Sequence, residues 1–123
     1  MARTILVVDD DPGVQRVMKK FLTLEGFTPA VAGNGKEALA YLRGGGHPCV
    51  IVLDLRMPVM DGWTFRKEQR LDPGLASIPV VVLSGAEAES IPELEAVASF
   101  RKPVSFPEVI NVVRRLCPTA PAD

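Results

Sequence analysis

The sequence contains one histidine, one tyrosine, one tryptophan and two cysteines in 123 residues. Each scarcity removes a class of function. His47 sits in Gly44-Gly45-Gly46-His47-Pro48, a loop composition, so hydrolytic triads that need a histidine base are not expected. Cys49 and Cys117 are far apart and form no CxxC pair, which suggests neither a thiolate zinc site nor a disulfide framework. Cys49 reads instead as a small buried hydrophobe. An excess of charge is lacking too: 14 basic against 15 acidic side chains leave a formal charge of -1. With so few aromatics there is no basic stripe for nucleic acid, and no direct nucleic-acid binding is expected. No apolar run reaches bilayer length, and Met1-Ala2-Arg3 leads straight into a short strand-like run rather than a leader segment. A cytoplasmic protein without membrane insertion is therefore expected.

What is present is a globular composition, 47% hydrophobic and 24% charged, which argues against disorder. The length suits one domain, read as residues 1–117, with 118–123 a Pro- and Ala-rich tail or linker stub. Four short runs rich in β-branched residues recur: Ile5-Leu6-Val7-Val8, Thr28-Pro29-Ala30-Val31-Ala32, Val50-Ile51-Val52-Leu53 and Val80-Val81-Val82-Leu83. None alternates with polar residues, as expected of parallel strands covered on both faces. Ser99-Phe100-Arg101 is a weaker fifth strand. Between the runs, Val14, Val17, Met18, Phe21 and Leu22 repeat with helical period and stop at Gly26. Asn34, Ser90 and Ser105 each stand three residues before a Glu, the spacing of a helix-capping box. Gly62 to Arg70 and Val109 to Leu116 supply further helices. The alternation predicts an α/β fold, (βα)5, with a doubly wound five-stranded parallel sheet of flavodoxin-like type and helices on both faces.

In such a sheet the working crevice lies beyond the carboxyl ends of the strands. Asp9, Asp10 and Asp11 follow the first strand, Asp54 the third, Ser84 the fourth, and Lys102-Pro103 the fifth. Converging carboxylates repel one another unless a cation neutralises them, and magnesium, with its oxygen ligands and retained waters, suits that task. Lys102 and Ser84 add a positive charge and a hydroxyl donor, which together with the metal form a cradle for a phosphoryl group, leaving Asp54 as the nucleophile. Competing structural readings exist. Asp54 could be a strand-end turn acid, Asp9 and Asp10 helix N-terminal acids, Ser84 a strand-end cap and Lys102 a solvated lysine. Convergence on one edge favours the chemical reading for these residues. Asp11, before Pro12, and Asp61, before Gly62, fit caps better.

Asp9-Asp10, the run from Val52 to Gly62 around Asp54, Leu83-Ser84-Gly85 and Arg101-Lys102-Pro103 together resemble the receiver domain of bacterial two-component response regulators, up to about Leu116. The resemblance implies that Asp54 accepts a phosphoryl group from a sensor histidine kinase or a histidine phosphotransfer protein. It implies Mg2+ held by Asp9, Asp10, Asp54 and the main-chain carbonyl of Arg56, phosphoryl contacts from Ser84 and Lys102, and a cis Lys102-Pro103 bond. Such a domain is not a turnover enzyme; it catalyses only its own phosphorylation and dephosphorylation. It acts through a downstream protein target or a fused effector, and phosphorylation can also pair two copies. Two departures stand out. Ser99 occupies the position where receivers commonly carry a switching aromatic, and Phe100 should face the other side of its strand. The segment between Ser84 and Lys102 is short, with Ile91-Pro92 inside it, so the helix expected there is short or irregular. A receiver-like scaffold that binds its partner without phosphorylation is the alternative reading. A haloacid-dehalogenase-type phosphatase using Asp9-Asp10-Asp11 is a more remote one.

Overall fold

The computed structural model describes residues 3–85 and 92–118. The chain runs β1 (Thr4–Val8), α1 (Pro12–Leu24), β2 (Thr28–Ala32), α2 (Gly35–Arg43), β3 (Val50–Asp54), α3 (Gly62–Leu71), β4 (Val80–Ser84), a 3-10 turn (Pro92–Leu94), β5 (Ala98–Arg101) and α4 (Phe106–Leu116). The strands form one parallel sheet in the order β2-β1-β3-β4-β5, the flavodoxin-like order. Strand order reverses direction between β1 and β3, so a crevice opens where Val8 and Asp54 end their strands.

Successive side chains on a strand point to opposite faces, and both faces of β1 and β3 are fully buried. Leu6, Val8, Ile51 and Leu53 pack beneath α2 and α3 with Phe65, while Ile5, Val7, Val50 and Val52 pack beneath α1 and α4 with Met18, Leu22 and Ile110. Burial of both faces explains why the strand runs lack alternation. Helix starts are locally encoded. Asp11 accepts from the Gly13 N–H at 2.8 Å, Asn34 from Glu37 at 2.9 Å and Asp61 from Thr64 at 2.8 Å, and Glu37 returns the contact by accepting from Gly33 at 3.0 Å. Each satisfies an otherwise orphaned N–H. Gly26, at φ +88°, ends α1 in a conformation that side chains disfavour.

Two expectations need correction, at Ser105 and at the cysteines. The fold class stands: four α-helices are described, and between β4 and β5, where a short or irregular helix was expected, the described residues hold the 3-10 turn at Pro92–Leu94, with the Ser90 cap outside these residues. Pro92 starts that turn with its ring at a position where no N–H is needed, and three residues later Glu95 takes φ +51°, which ends it. Ser105 stands at the start of α4 but makes no side-chain cap hydrogen bond. Finally, Cys49 and Cys117 form a disulfide, with Cα atoms 5.8 Å apart and a sequence separation of 68. Their distance in sequence hid a simple topological fact: the lead-in to β3 and the end of α4 lie at the same edge of the sheet. Of the expected tail at 118–123, only Pro118 lies within the described residues.

Candidate functional site at the carboxyl edge of the sheet

Asp9, which follows the last residue of β1, is 1% exposed, and Asp54, the last residue of β3, is 4% exposed. Asp10 is exposed beside them. The register places Val8 opposite Leu53, one residue before Asp54, which brings these acids to one end of adjacent strands. Carboxylate oxygens of Asp9, Asp10 and Asp54 all lie within 4.8 Å of one another. Lys102 reaches in from the end of β5, its Nζ donating to Asp54 Oδ1 at 2.8 Å. The peptide bond between Lys102 and Pro103 is cis, as the resemblance implied. Ser84 ends β4 on the same edge, 2% exposed, and its carbonyl accepts from the Lys102 N–H at 2.7 Å.

The electrostatics follow from this placement. Burial raises the Asp54 pKa, an effect that the hydrogen bond and charge of Lys102 counteract. Burial also raises Asp9, to about 6, helped by the negative charges of Asp54 and Asp10 and opposed by the Asp11 N–H, which donates to Asp9 Oδ1 at 2.9 Å. Burial works against the Lys102 charge, but Asp54, Asp9 and Asp10 outweigh it and hold its pKa above the ordinary lysine value. Asp9 Oδ2 is fully buried without a hydrogen-bond partner, the single such side-chain atom among the described residues. A buried carboxylate oxygen without a donor is costly, and the cost vanishes when a cation takes that position. The donor set, oxygen only and closely spaced, fits a hard divalent cation.

Arg56 lies two residues beyond Asp54, exposed, with its guanidinium carbon 5.9 Å from the centroid of the Trp63 ring. Asp11 and Asp61 are helix caps, as their sequence context suggested. Two supporting residues were not singled out from sequence. Gln15 Nε2 donates to the Asp9 carbonyl at 2.5 Å, which fixes the main chain that carries Asp9. A side chain on Gly62 would place its Cβ 2.5 Å from the Asp54 carbonyl oxygen, so only glycine lets α3 begin against the end of β3. The signal for Gly62 was the Asp61-Gly62 pair itself; nothing in sequence marked Gln15.

Residues 5–114 match a family model described as the response regulator receiver domain. The chain is 36% identical over 115 residues to the regulatory protein AtoC of Escherichia coli (strain K12), covering 90% of this chain and 24% of AtoC. It is 34% identical over 123 residues to a 14.6 kDa protein encoded in the sodA1 3' region of Leptolyngbya boryana, covering 97% of this chain and 93% of that one. The chain thus spans about a quarter of AtoC, and 31% of the probable transcriptional regulator ycf27 of Porphyra purpurea. Among solved structures, the receiver domain of the Francisella response regulator 1452 superposes with a TM-score of 0.83 at 30% identity, over 93% of this chain and 95% of that one. The chemotaxis response regulator CheY4 of Vibrio cholerae superposes with a TM-score of 0.82 at 25% identity, over 94% and 99%. Family model, relatives and fold agree, and the chain belongs to the response regulator receiver domains.

Proposed function

We propose that Asp54 accepts a phosphoryl group from a sensor histidine kinase or histidine phosphotransfer protein in the cytoplasm, and that the acyl phosphate changes the affinity of the domain for a partner protein or a fused effector. The observation that carries this reading is the 2.8 Å contact of the Lys102 ammonium with a nearly buried Asp54 inside a carboxylate cluster. Lys102 favours the ionised, nucleophilic form of Asp54 despite its burial. A carboxylate oxygen of Asp54 attacks phosphorus in line, the phosphorus–nitrogen bond of a phosphohistidine breaks, and the imidazole leaves with its electron pair. Positioning and charge neutralisation supply most of the catalysis.

Asp9, Asp10 and Asp54, with the main-chain carbonyl of Arg56, would hold Mg2+, whose charge neutralises the transferring phosphoryl oxygens. Ser84 donates its hydroxyl to those oxygens, and Lys102 exchanges part of its contact with Asp54 for one with the phosphoryl group. Gln15 and Gly62 hold the main chain on which Asp9 and Asp54 stand. The protein turns over no separate substrate; its chemistry begins and ends on Asp54.

Intact mass after incubation with acetyl phosphate, with and without Mg2+, tests this on the wild type and Asp54→Asn. A magnesium-dependent gain of one phosphoryl group, absent from the variant, is expected. No gain by a folded, magnesium-bound chain would overturn the reading. One observation favours a second reading, a scaffold that binds its partner without phosphorylation. Ser99 is exposed on β5, and the aromatic beside it, Phe100, packs on the opposite face under α1 and α4. That reading predicts equal partner affinity with and without acetyl phosphate.

A further inference from the structure

The Cys49–Cys117 disulfide lies at the edge of the sheet away from Asp54. Cys49 precedes β3 and Asp54 ends it, a distance along the strand of about 17 Å. Cys117 is fully buried under the sheet with Ile5, Val50 and Val113, whereas Cys49 is only partly buried. Each cysteine is also tied by its main chain, Cys49 N–H donating to Thr4 O at 2.8 Å and Cys117 N–H to Val113 O at 2.8 Å. Cys49 is thus fixed to β1 and Cys117 to the last turn of α4, whose buried Val113 keeps the two cysteines within reach of each other for re-pairing.

We propose that Cys49 and Cys117 form a reversible thiol–disulfide clamp that sets how firmly the last turn of α4 is seated on the sheet, with a cytosolic thiol as its reductant. This rests on the cytoplasmic part of the reading above, because disulfides there are exposed to thiol reductants and serve redox sensing rather than permanent stapling. A reductant thiolate attacks the more accessible sulfur, that of Cys49. The sulfur–sulfur bond breaks, and Cys117 leaves as a thiolate that takes up a proton. A second reductant thiol displaces Cys49 from the mixed disulfide. Two electrons and two protons pass to the protein, and the reductant ends as its own disulfide.

Opening the clamp leaves most of the helix in place. Val109, Ile110 and Val113 are buried independently of the sulfurs, Phe106 stacks on Phe21 with ring centroids 6.1 Å apart, and Arg114 pairs with Glu25 at 3.3 Å. What reduction frees is the end of the helix at Leu116 and Cys117. The phosphoryl chemistry at the far edge touches neither cysteine, so the clamp acts on the α4 surface and not on Asp54.

The test equilibrates the whole chain with mixtures of reduced and oxidised glutathione plus catalytic glutaredoxin, traps thiols with iodoacetamide, and counts them by intact mass. Each redox form is then melted, followed by hydrogen exchange, and labelled with acetyl phosphate. The trapped thiols should rise from none to two and fall again within mixtures in which reduced glutathione predominates. The reduced form should melt about 10 °C lower, the order expected for opening a loop of this length. Amide exchange at the end of α4 should quicken about tenfold, and labelling of Asp54 should be equal in both forms. The double variant Cys49→Ser with Cys117→Ala should match the reduced wild type; if it does not fold, the reduced wild type carries the comparison alone. A bond that survives every mixture, thiols that never pair, or a reduced form with unchanged exchange would each overturn the clamp. Absent labelling in both forms would sink the phosphoacceptor reading and leave the thiol result standing.

Discussion

Two buried polar clusters in this small domain are built on opposite plans. At the carboxyl edge, Asp9 and Asp54 are buried among like charges, and one oxygen of Asp9 has no partner. On the α3 face, Arg66 is 7% exposed and Gln69 fully buried, yet every contact closes. Arg66 donates through Nε to Leu94 O at 2.8 Å, through Nη1 to Gln69 Oε1 at 2.8 Å and through Nη2 to Glu95 O at 3.1 Å. Gln69 Nε2 donates to the carbonyls of Leu75 and Ile78, both at 3.0 Å. Burial and the nearby charge of Arg70 lower the Arg66 pKa, with Glu95 opposing them, but the group stays charged at any ordinary pH. A satisfied polar network holds structure together; a network left open by one oxygen is prepared for a ligand. The α3 cluster fastens the chain leading into β5, where a short or irregular helix was expected and the 3-10 turn stands.

Breaking the closed cluster should have the largest effect. Arg66→Ala leaves two main-chain carbonyls and Gln69 without their donor, and should cost about 3–4 kcal/mol of stability in urea unfolding. Gln69→Leu should cost about 2–3 kcal/mol for the same reason. Neither change should alter magnesium affinity by more than about twofold, because additivity holds between sites without shared partners. A large loss of magnesium binding in a folded Arg66 variant would erase the distinction between the clusters.

The open cluster should respond in the opposite sense. Asp9 binds its proton more tightly in the folded chain than in the unfolded one, since burial raises its pKa from 3.8 to about 6. Its contribution is fully present below about pH 4 and is lost as pH rises through about 6, so the cation-free protein should lose about 2–3 kcal/mol across that window. Asp54, raised in the same direction, adds to the trend. Asp9→Asn should flatten the Asp9 part and stabilise the cation-free chain at pH 7 by about 1–3 kcal/mol, while weakening magnesium binding. Denaturant midpoints measured from pH 4 to 7.5, with and without magnesium, decide this; a destabilised Asp9→Asn chain would count against an open site.

The smallest contrast lies in the caps. Asn34→Ala should cost about 1 kcal/mol, because it orphans the Glu37 N–H, whereas Ser105→Ala should change stability by less than about 0.3 kcal/mol, since its hydroxyl caps nothing. Equal losses in thermal unfolding would contradict the difference.

The legibility of these features differs for physical reasons. Strand limits could be read within a residue because a buried parallel strand must be apolar on both faces: the run Val80–Leu83 read from sequence is β4, Val80–Ser84, buried throughout. The carboxyl-edge residues were legible because topology sends every strand end to one side, so Asp9, Asp54 and Lys102 needed no long-range guess beyond strand order. Arg66 was not, since an arginine in a helix ordinarily reads as solvent-facing. The buried positions 62, 65, 66 and 69 keep the helical spacing, but two of them are polar. The disulfide escaped because no local pattern relates Cys49 to Cys117, and Ser105 misled because a capping residue can occupy its position without using its side chain.

The disulfide also divides the molecule mechanically. Cys49 and Cys117 close a covalent ring that contains Asp54, Ser84 and Lys102, while Asp9 and Asp10 lie on the open arm that precedes it. Tension applied between the two ends can peel β1, α1, β2 and α2 away, but the 68-residue separation inside the ring, about 230 Å of extended chain, cannot lengthen the molecule until the sulfurs part. A pulled, oxidised chain would therefore lose Asp9 and Asp10 with the arm while Asp54, Ser84 and Lys102 remained looped together.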